Sequence, residues 1–256
     1  MPKFLDRSDK FAHVWVLAIA MCGGMCGCSP SEPIPLTTVD PQHGPGHRNG
    51  QWRTQLMSAR NGDYDAIRVT EWPVTLEDLA ELQYVTELTD LLIDSGGVTD
   101  EGLKHIAQLS RLEHLRLIDC PITDIGIELL ADAGLNKLRI LNIPDAEVTA
   151  DGLAYLAKLP SLVQLRLGRS QLDDRAVSEI AKLPHLESLH LIGPSLTDAA
   201  LDSLATAPEL TSLYIDDCQL SDAAWERLFT AKPSLHVHID QAHHDRDPSH
   251  HEHTSE

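Results

Sequence analysis

The segment Leu112–Ile127 has the sequence LEHLRLIDCPITDIGI, and it decides the fold of this chain. Its three leucines form the pattern LxxLxL, in which apolar and polar residues alternate as they do in a short strand with one buried face. Five residues after the last leucine comes another apolar residue, Ile122, followed by Thr123 and Asp124. A hydroxyl followed by a carboxylate is typical of a helix N-terminus. The segment therefore predicts a strand, a short loop and the start of a helix.

The same pattern recurs along the chain with a period of 24 residues. The last apolar residue of each copy lies at Val69, Ile93, Leu117, Ile143, Leu167, Leu191, Ile215 and Ile239. One interval is 26 residues long because Ala131–Leu138 carries two additional residues, as surface loops tolerate. Leucines three and four positions apart mark a helix after each strand, and prolines such as Pro160 end it. One strand and one helix per repeat predict an α/β solenoid with about eight parallel strands.

These repeats resemble the leucine-rich-repeat family, in its cysteine-containing class with the pattern LxxLxLxxCxxITDxGL. Cys120 occupies the cysteine position of the clearest copy, and Cys218 occupies it in Leu210–Asp222. The position holds other residues elsewhere, at Trp72, Gly96, Ala146, Ser170 and Pro194. The resemblance implies a curved parallel sheet on a concave face and helices on a convex face. Members of that class are often substrate receptors of ubiquitin ligases, but no F-box-like segment precedes these repeats, so we do not expect that role.

The two cysteines of the repeats are predicted to be buried, reduced and structural. Cys120 and Cys218 lie four repeats apart, which corresponds to about 19 Å at the spacing of neighbouring strands. A disulfide requires Cα atoms within about 7 Å of each other. The repeat geometry therefore excludes a bond between them.

The first 28 residues are predicted to be an export signal. Lys3, Arg7 and Lys10 give a basic start, and Val14–Met21 gives an apolar core that is too short to span a bilayer. The signal ends in MCGCSP, which resembles a bacterial lipoprotein signal with Cys28 as the acylated residue. An ordinary cleaved secretory signal is the alternative. We expect an exported protein of the cell envelope, anchored to a membrane through lipidated Cys28.

Composition sets the remaining boundaries of the chain. The predicted segments are a Pro/Gly-rich tether at 29–50, an N-terminal cap at 51–63, the leucine-rich-repeat domain at 64–240, and a His-rich disordered tail at 241–256. The cap is predicted to be a short helix in which Trp52, Leu56 and Met57 pack on the first repeat, because solenoids need a covered end.

The tail suggests a second function that does not involve the repeats. It contains five histidines, at His243, His244, His250, His251 and His253. Imidazole clusters bind zinc, nickel or copper, although this spacing matches no defined site. Metal binding by the tail is therefore the alternative to protein binding, and a solvated tail is the simpler interpretation. No metal ligands and no cofactor are predicted in the repeats.

The candidate binding residues are those between the last two apolar residues of each strand. They are Arg68, Arg116, Asn142, Arg166, His190, Tyr214 and His238, with Leu92 at the remaining position. Flanking columns add His114, Gln164 and His236 on one side and Asp94, Asp216 and Asp240 on the other. Arginine and tyrosine are favoured interface anchors, so these residues predict a surface for an acidic or polar protein partner. The alternative is that they are polar because strand faces in contact with water must be polar.

Other classes of function are disfavoured by charge and by motifs. The net charge of −19 argues against nucleic acid and against an anionic membrane surface as partners. The sequence contains no GxSxG or HExxH motif and no phosphate-binding glycine loop. We therefore expect a non-catalytic protein-binding or scaffold module that uses the concave face.

Overall fold

The computed structural model describes residues 45–168, 172–240 and 242–243. The predicted export signal, the acylation candidate Cys28 and most of the His-rich tail lie outside these residues. Within the described ranges, no helix is both long enough and apolar enough to cross a membrane.

The described strands form one nine-stranded sheet, ordered as they are along the chain. Their bounds are β1 Ala66–Val69, β2 Asp90–Ile93, β3 His114–Leu117, β4 Ile140–Ile143, β5 Gln164–Gly168, β6 Ser188–Ile192, β7 Ser212–Asp216, β8 His236–Ile239 and β9 Ala242–His243. Strands β1 to β8 run parallel, and each ends at or one residue after its predicted apolar position. The predicted solenoid with about eight parallel strands is thus confirmed. Strand β9 pairs antiparallel with β8 and lies in the segment predicted to be disordered.

A helical segment follows each of the first seven strands, and consecutive helices lie side by side. In chain order the helices of the described residues are α1 Pro45–Asn61, α2 Leu76–Ala80, α3 Asp100–Ile106, α4 Asp124–Asp132, α5 Ala150–Leu153, α6 Asp174–Ile180, α7 Asp198–Leu204 and α8 Asp222–Ala231. Short 3₁₀ turns, Glu81–Tyr84 and Ala154–Lys158, extend α2 and α5. The repeated leucines fill one continuous core, in which Leu112, Leu115 and Leu117 are fully buried.

Helix α1 begins at Pro45, six residues before the predicted start of the cap and inside the predicted tether. Proline suits the first helical position because its ring fixes φ and no N–H is needed there. Trp52 and Leu56 are buried, as predicted for cap packing, whereas Met57 is 65% exposed. Met57 therefore packs less closely than the sequence predicted, because it lies on a different face of α1 from Trp52 and Leu56.

The two cysteines of the repeats differ in burial, and neither is in a disulfide. Cys120 is buried, and this burial raises the pKa of its thiol to about 11. Cys218 is only half-buried, although burial raises its pKa as well. In the described part of the chain, the residue one repeat later, Ala242, lies in β9, which pairs antiparallel with β8 and does not continue the parallel stack. Raised pKa values disfavour the thiolate, as expected of structural cysteines.

A ladder of carboxylates joins consecutive helix N-termini. Asp100 Oδ1 accepts a hydrogen bond from the backbone N–H of Thr123 at 2.9 Å, and Oδ2 accepts one from the Thr123 hydroxyl at 2.6 Å. The same contact recurs between Asp124 and Thr149, Asp174 and Thr197, and Asp198 and Ser221. These aspartates therefore bind the next repeat, a role beyond the favourable helix-dipole interaction that the sequence suggested.

The ladder is interrupted where the sequence changes at both ends of the contact. Ala150 occupies the position of the accepting aspartate, and Asp173 replaces the hydroxyl residue at the next helix N-terminus. The Asp173 carboxylate instead accepts from Ala176 N–H within its own helix, at 2.8 Å. An aspartate at position 150 would face Asp173 with the same charge, so the two changes compensate each other.

Candidate functional site

The predicted binding residues lie in one line across the sheet, which we call the strand row. The backbone register places each residue directly opposite the next, in the order Arg68, Leu92, Arg116, Asn142, Arg166, His190, Tyr214 and His238. Because side chains alternate along a strand, the row points away from the leucines of the core. The sequence thus predicted the position of these residues on one face.

The charge of Arg116 is compensated within the protein. Its Nε donates to Asp94 Oδ1 at 2.6 Å, and its Nη2 donates to Asp94 Oδ2. The two side chains are only 15% and 18% exposed. A paired guanidinium makes a weaker attractive site for an acidic partner than the sequence suggested. The main contact of Arg116 is therefore its ion pair with Asp94 within the sheet.

Two histidines on this face also contact carboxylates. His190 Nε2 lies 2.8 Å from Asp216 Oδ2, and His114 Nδ1 lies 3.4 Å from Asp90 Oδ1. Burial alone would raise the pKa of Asp90, but hydrogen bonds from His114 and Thr89 outweigh it and lower that pKa. The carboxylate of Asp90 is therefore ionised and held in place.

The protonation of His190 is governed mainly by its burial. The residue is 9% exposed, and burial lowers its pKa, with a further lowering from the positive charge of Arg166. The carboxylate of Asp216 opposes this effect without reversing it. His190 is therefore neutral at neutral pH, and as a donor to Asp216 it carries its proton on Nε2.

An aromatic cluster forms the C-terminal end of the strand row. The ring of Tyr214 stacks on His238 with ring centroids 4.7 Å apart, and the centroid of His190 lies 5.5 Å from it. His236 meets Tyr214 edge to face at 6.2 Å. These rings are mutually packed and half-buried to buried, so they present a rigid surface with polar edges.

Asn142 lies at the centre of the row and is 6% exposed. Among the described residues, its Oδ1 has no hydrogen-bond partner. A buried polar atom without a partner is costly, so Oδ1 of Asn142 is an unmet hydrogen-bond acceptor within the row.

The sequence placed Asp94 and Asp216 beside the strand row but did not predict their contacts with Arg116 and His190. Asp94 precedes Arg116 by 22 residues, and Asp216 follows His190 by 26. In a 24-residue repeat both spacings describe a diagonal neighbour on the adjacent strand, two positions toward its C-terminal end. Opposite charges at these spacings are a usable signal for pairing.

The described residues contain no group of three or more His, Cys, Asp or Glu side chains arranged to hold a metal ion. The histidines of the predicted tail site, apart from the backbone of His243 in β9, lie outside the residues that the structure describes.

Comparison with known proteins supports the leucine-rich-repeat resemblance. The family model described as the leucine-rich repeats of an FBD-associated F-box protein matches residues 124–245. A model of the leucine-rich repeat itself matches residues 109–131. No curated protein sequence matches the chain.

Solved structures with the same fold include an internalin from Listeria monocytogenes. It has a TM-score of 0.54 and 20% sequence identity over 72% of this chain, which spans 50% of the internalin. A leucine-rich-repeat protein from Leptospira interrogans has a TM-score of 0.46 and 20% identity, over 62% of this chain and 39% of its own. At such identity the internalin establishes a shared fold and no shared partner.

Proposed function

We propose that this chain, whose repeats form a leucine-rich-repeat solenoid, is a non-catalytic module that binds another protein through the strand row. One observation carries the proposal: eight row positions lie in register on neighbouring strands, on the face opposite the leucine core. Such a line of side chains can contact an extended surface of a partner at many points at once.

Residue type and position indicate which members of the row would dominate binding. Arg166 and Tyr214 lie in the C-terminal half of the row, and both are half-buried. Partly buried Arg and Tyr side chains are enriched among residues that contribute most to binding. We therefore place the centre of the interface at Arg166 and Tyr214.

We also propose that the protein is exported and anchored to a membrane of the cell envelope. Support comes from the basic start of the sequence, the apolar stretch Val14–Met21 and the cysteine at position 28 in MCGCSP. Metabolic labelling with a fatty-acid analogue tests this part. Label on the wild type and its loss in Cys28→Ala is the expected result, and an unlabelled wild-type protein would refute acylation.

Affinity capture from the native envelope tests the binding role. The wild type is compared with the variant Arg166→Ala/Tyr214→Ala, and captured proteins are quantified by mass spectrometry. The matched control is Arg175→Ala/Tyr155→Ala, which removes the same residue types from helical segments. Circular dichroism and thermal unfolding verify that each variant is folded.

The expected result is a partner that is retained by the wild type and by the helix variant but lost from the row variant. Two removed anchors should weaken binding by at least about a hundredfold, at about 1.4 kcal/mol per factor of ten. Equal capture by the two variants would place the interface elsewhere and refute the proposal.

A further inference from the structure

We propose a second site on this domain: His236 and His238 are two neighbouring ligands of a divalent copper or nickel ion. The two residues lie two positions apart on β8, so their side chains leave the same face of the sheet. Their Nε2 atoms are 2.8 Å apart. Two imidazole nitrogens thus converge on one point outside the backbone.

The separation of the nitrogens favours a particular coordination geometry. At metal–nitrogen distances of about 2.0–2.1 Å, neighbouring ligands at a right angle lie about 2.9 Å apart, and ligands at a tetrahedral angle about 3.3 Å apart. The observed 2.8 Å is close to the right-angle value. Right angles between neighbouring ligands are characteristic of the tetragonal geometry that Cu²⁺ and Ni²⁺ prefer, whereas structural zinc is tetrahedral. Among first-row divalent ions, Cu²⁺ also binds most tightly to nitrogen ligands.

The surroundings hold the pair in this arrangement. The ring of His238 is stacked on Tyr214, and the ring of His236 meets both Tyr214 and His238 edge to face. Both histidines are half-buried, so they lose less side-chain freedom on binding a metal than exposed residues would. Asp216 is the last residue of β7 and Asp240 follows β8, and negative charge at these positions favours a cation.

The same contact in the metal-free protein is a hydrogen bond between one protonated and one unprotonated Nε2. If both imidazoles carry a proton on Nε2, two N–H groups face each other and the contact must open. A metal ion takes the place of the shared proton, which moves to Nδ1 of its own ring, so that each ligand is a neutral imidazole that binds through Nε2.

The pair supplies two ligands, and water completes the coordination. This distinguishes the site from metal binding by the tail, which would depend on the five histidines from His243 onward. Both could occur in one protein, so the experiment must separate them within the full-length chain. A tail variant with all five of these histidines replaced by glutamine keeps the chain length and removes the tail ligands.

The test is titration of the full-length tail variant with CuCl₂, followed by calorimetry and electron paramagnetic resonance. One Cu²⁺ per chain, with hyperfine structure from two nitrogens, is the expected result. Adding His236→Gln or His238→Gln should each weaken binding about tenfold or more. The double substitution should weaken Cu²⁺ binding only a little more than either single substitution does, because one lost ligand already destroys the chelate. His185→Gln, which removes an exposed histidine, is the matched control and should leave the affinity unchanged.

Three results would overturn the proposal. They are a tail variant that binds no Cu²⁺, a signal that survives His236→Gln/His238→Gln in that background, and an equal loss of affinity in the His185→Gln control. In the second case the copper is bound elsewhere on the chain. Protein binding is tested separately, at Arg166 and Tyr214, although His238 belongs both to the strand row and to this pair.

Discussion

The side-chain amide of Gln55 pairs with the backbone of Arg68 in the way that a neighbouring strand would. Gln55 Nε2 donates to the Arg68 carbonyl at 2.9 Å, and the Arg68 N–H donates to Gln55 Oε1 at 2.8 Å. Arg68 lies in β1, which has a strand neighbour on one side only. Open strand edges readily pair with other chains. Helix α1 therefore protects the first edge of the sheet with one side chain.

Replacing Gln55 with alanine should lower the free energy of unfolding by about 1 kcal/mol, because two hydrogen bonds to the backbone are lost at a site that water can reach. Urea denaturation measures the change. Gln108→Ala is the matched control, since its amide bonds to the Lys104 carbonyl within the neighbouring turn at 3.3 Å. Equal effects of the two substitutions would show that the amide of Gln55 does not stabilise the edge.

The interruption of the carboxylate ladder predicts a compensating pair of substitutions. Ala150→Asp alone should destabilise the protein, because the new carboxylate would face the carboxylate of Asp173. Ala150→Asp/Asp173→Thr should recover the lost stability, because it recreates the contact seen between Asp124 and Thr149. Urea denaturation of the single and double variants should give a coupling energy of about 1 kcal/mol or more.

Thr197→Val is the control for this cycle, since it deletes the hydroxyl that binds Asp174 at an intact junction. Thr197→Val should lower the free energy of unfolding by about as much as Ala150→Asp does. Additive effects of Ala150→Asp and Asp173→Thr would mean that the two positions do not contact each other.

Most of the fold could be predicted because a period of 24 residues fixes which backbone positions become neighbours. The ends of the strands and the members of the strand row follow from that period alone. Burial of Trp52 and Leu56 followed from the need to cover the first repeat. The outward position of Met57 was missed although the helical period signals it, because Met57 is one residue beyond Leu56 and therefore about 100° further around α1.

The contacts within the site were harder to predict from the sequence than the position of the site. The period places Asp94 and Arg116 near each other, but Arg68 is equally close to Asp94 in the register, and only the side-chain conformations decide the pair. The convergence of His236 and His238 had a sequence signal, two histidines two positions apart on a strand. The amide of Gln55 had none, because its partner is the backbone of Arg68.

Pairing with Asp94 predicts that Arg116 is more important for stability than for capture of a partner. Arg116→Ala should lower the free energy of unfolding by about 2 kcal/mol, because it leaves the carboxylate of Asp94 poorly solvated and unpaired. Arg116→Ala/Asp94→Asn should recover part of that loss, since the unpaired charge is gone. Chemical denaturation measures both.

Arg175→Ala is the control for Arg116, since the side chain of Arg175 is 68% exposed and that of its partner Asp151 is 75% exposed. It should change stability by less than about 1 kcal/mol. Equal losses in the two arginine variants would show that Arg116 contributes no more than an exposed ion pair.

Burial of His190 predicts a loss of stability in mild acid. Since burial lowers the pKa of His190 in the folded protein, the unfolded chain binds a proton more readily once the pH falls below about 6.5. The contribution of this residue to stability is therefore constant above that pH and declines as the pH falls toward the lowered pKa of the folded protein.

Thermal unfolding between pH 8 and pH 5 should show a steeper loss of stability for the wild type than for His190→Gln. His185→Gln, an exposed control, should follow the wild type. Parallel curves for the wild type and His190→Gln would show that His190 is protonated in the folded protein as easily as in the unfolded chain.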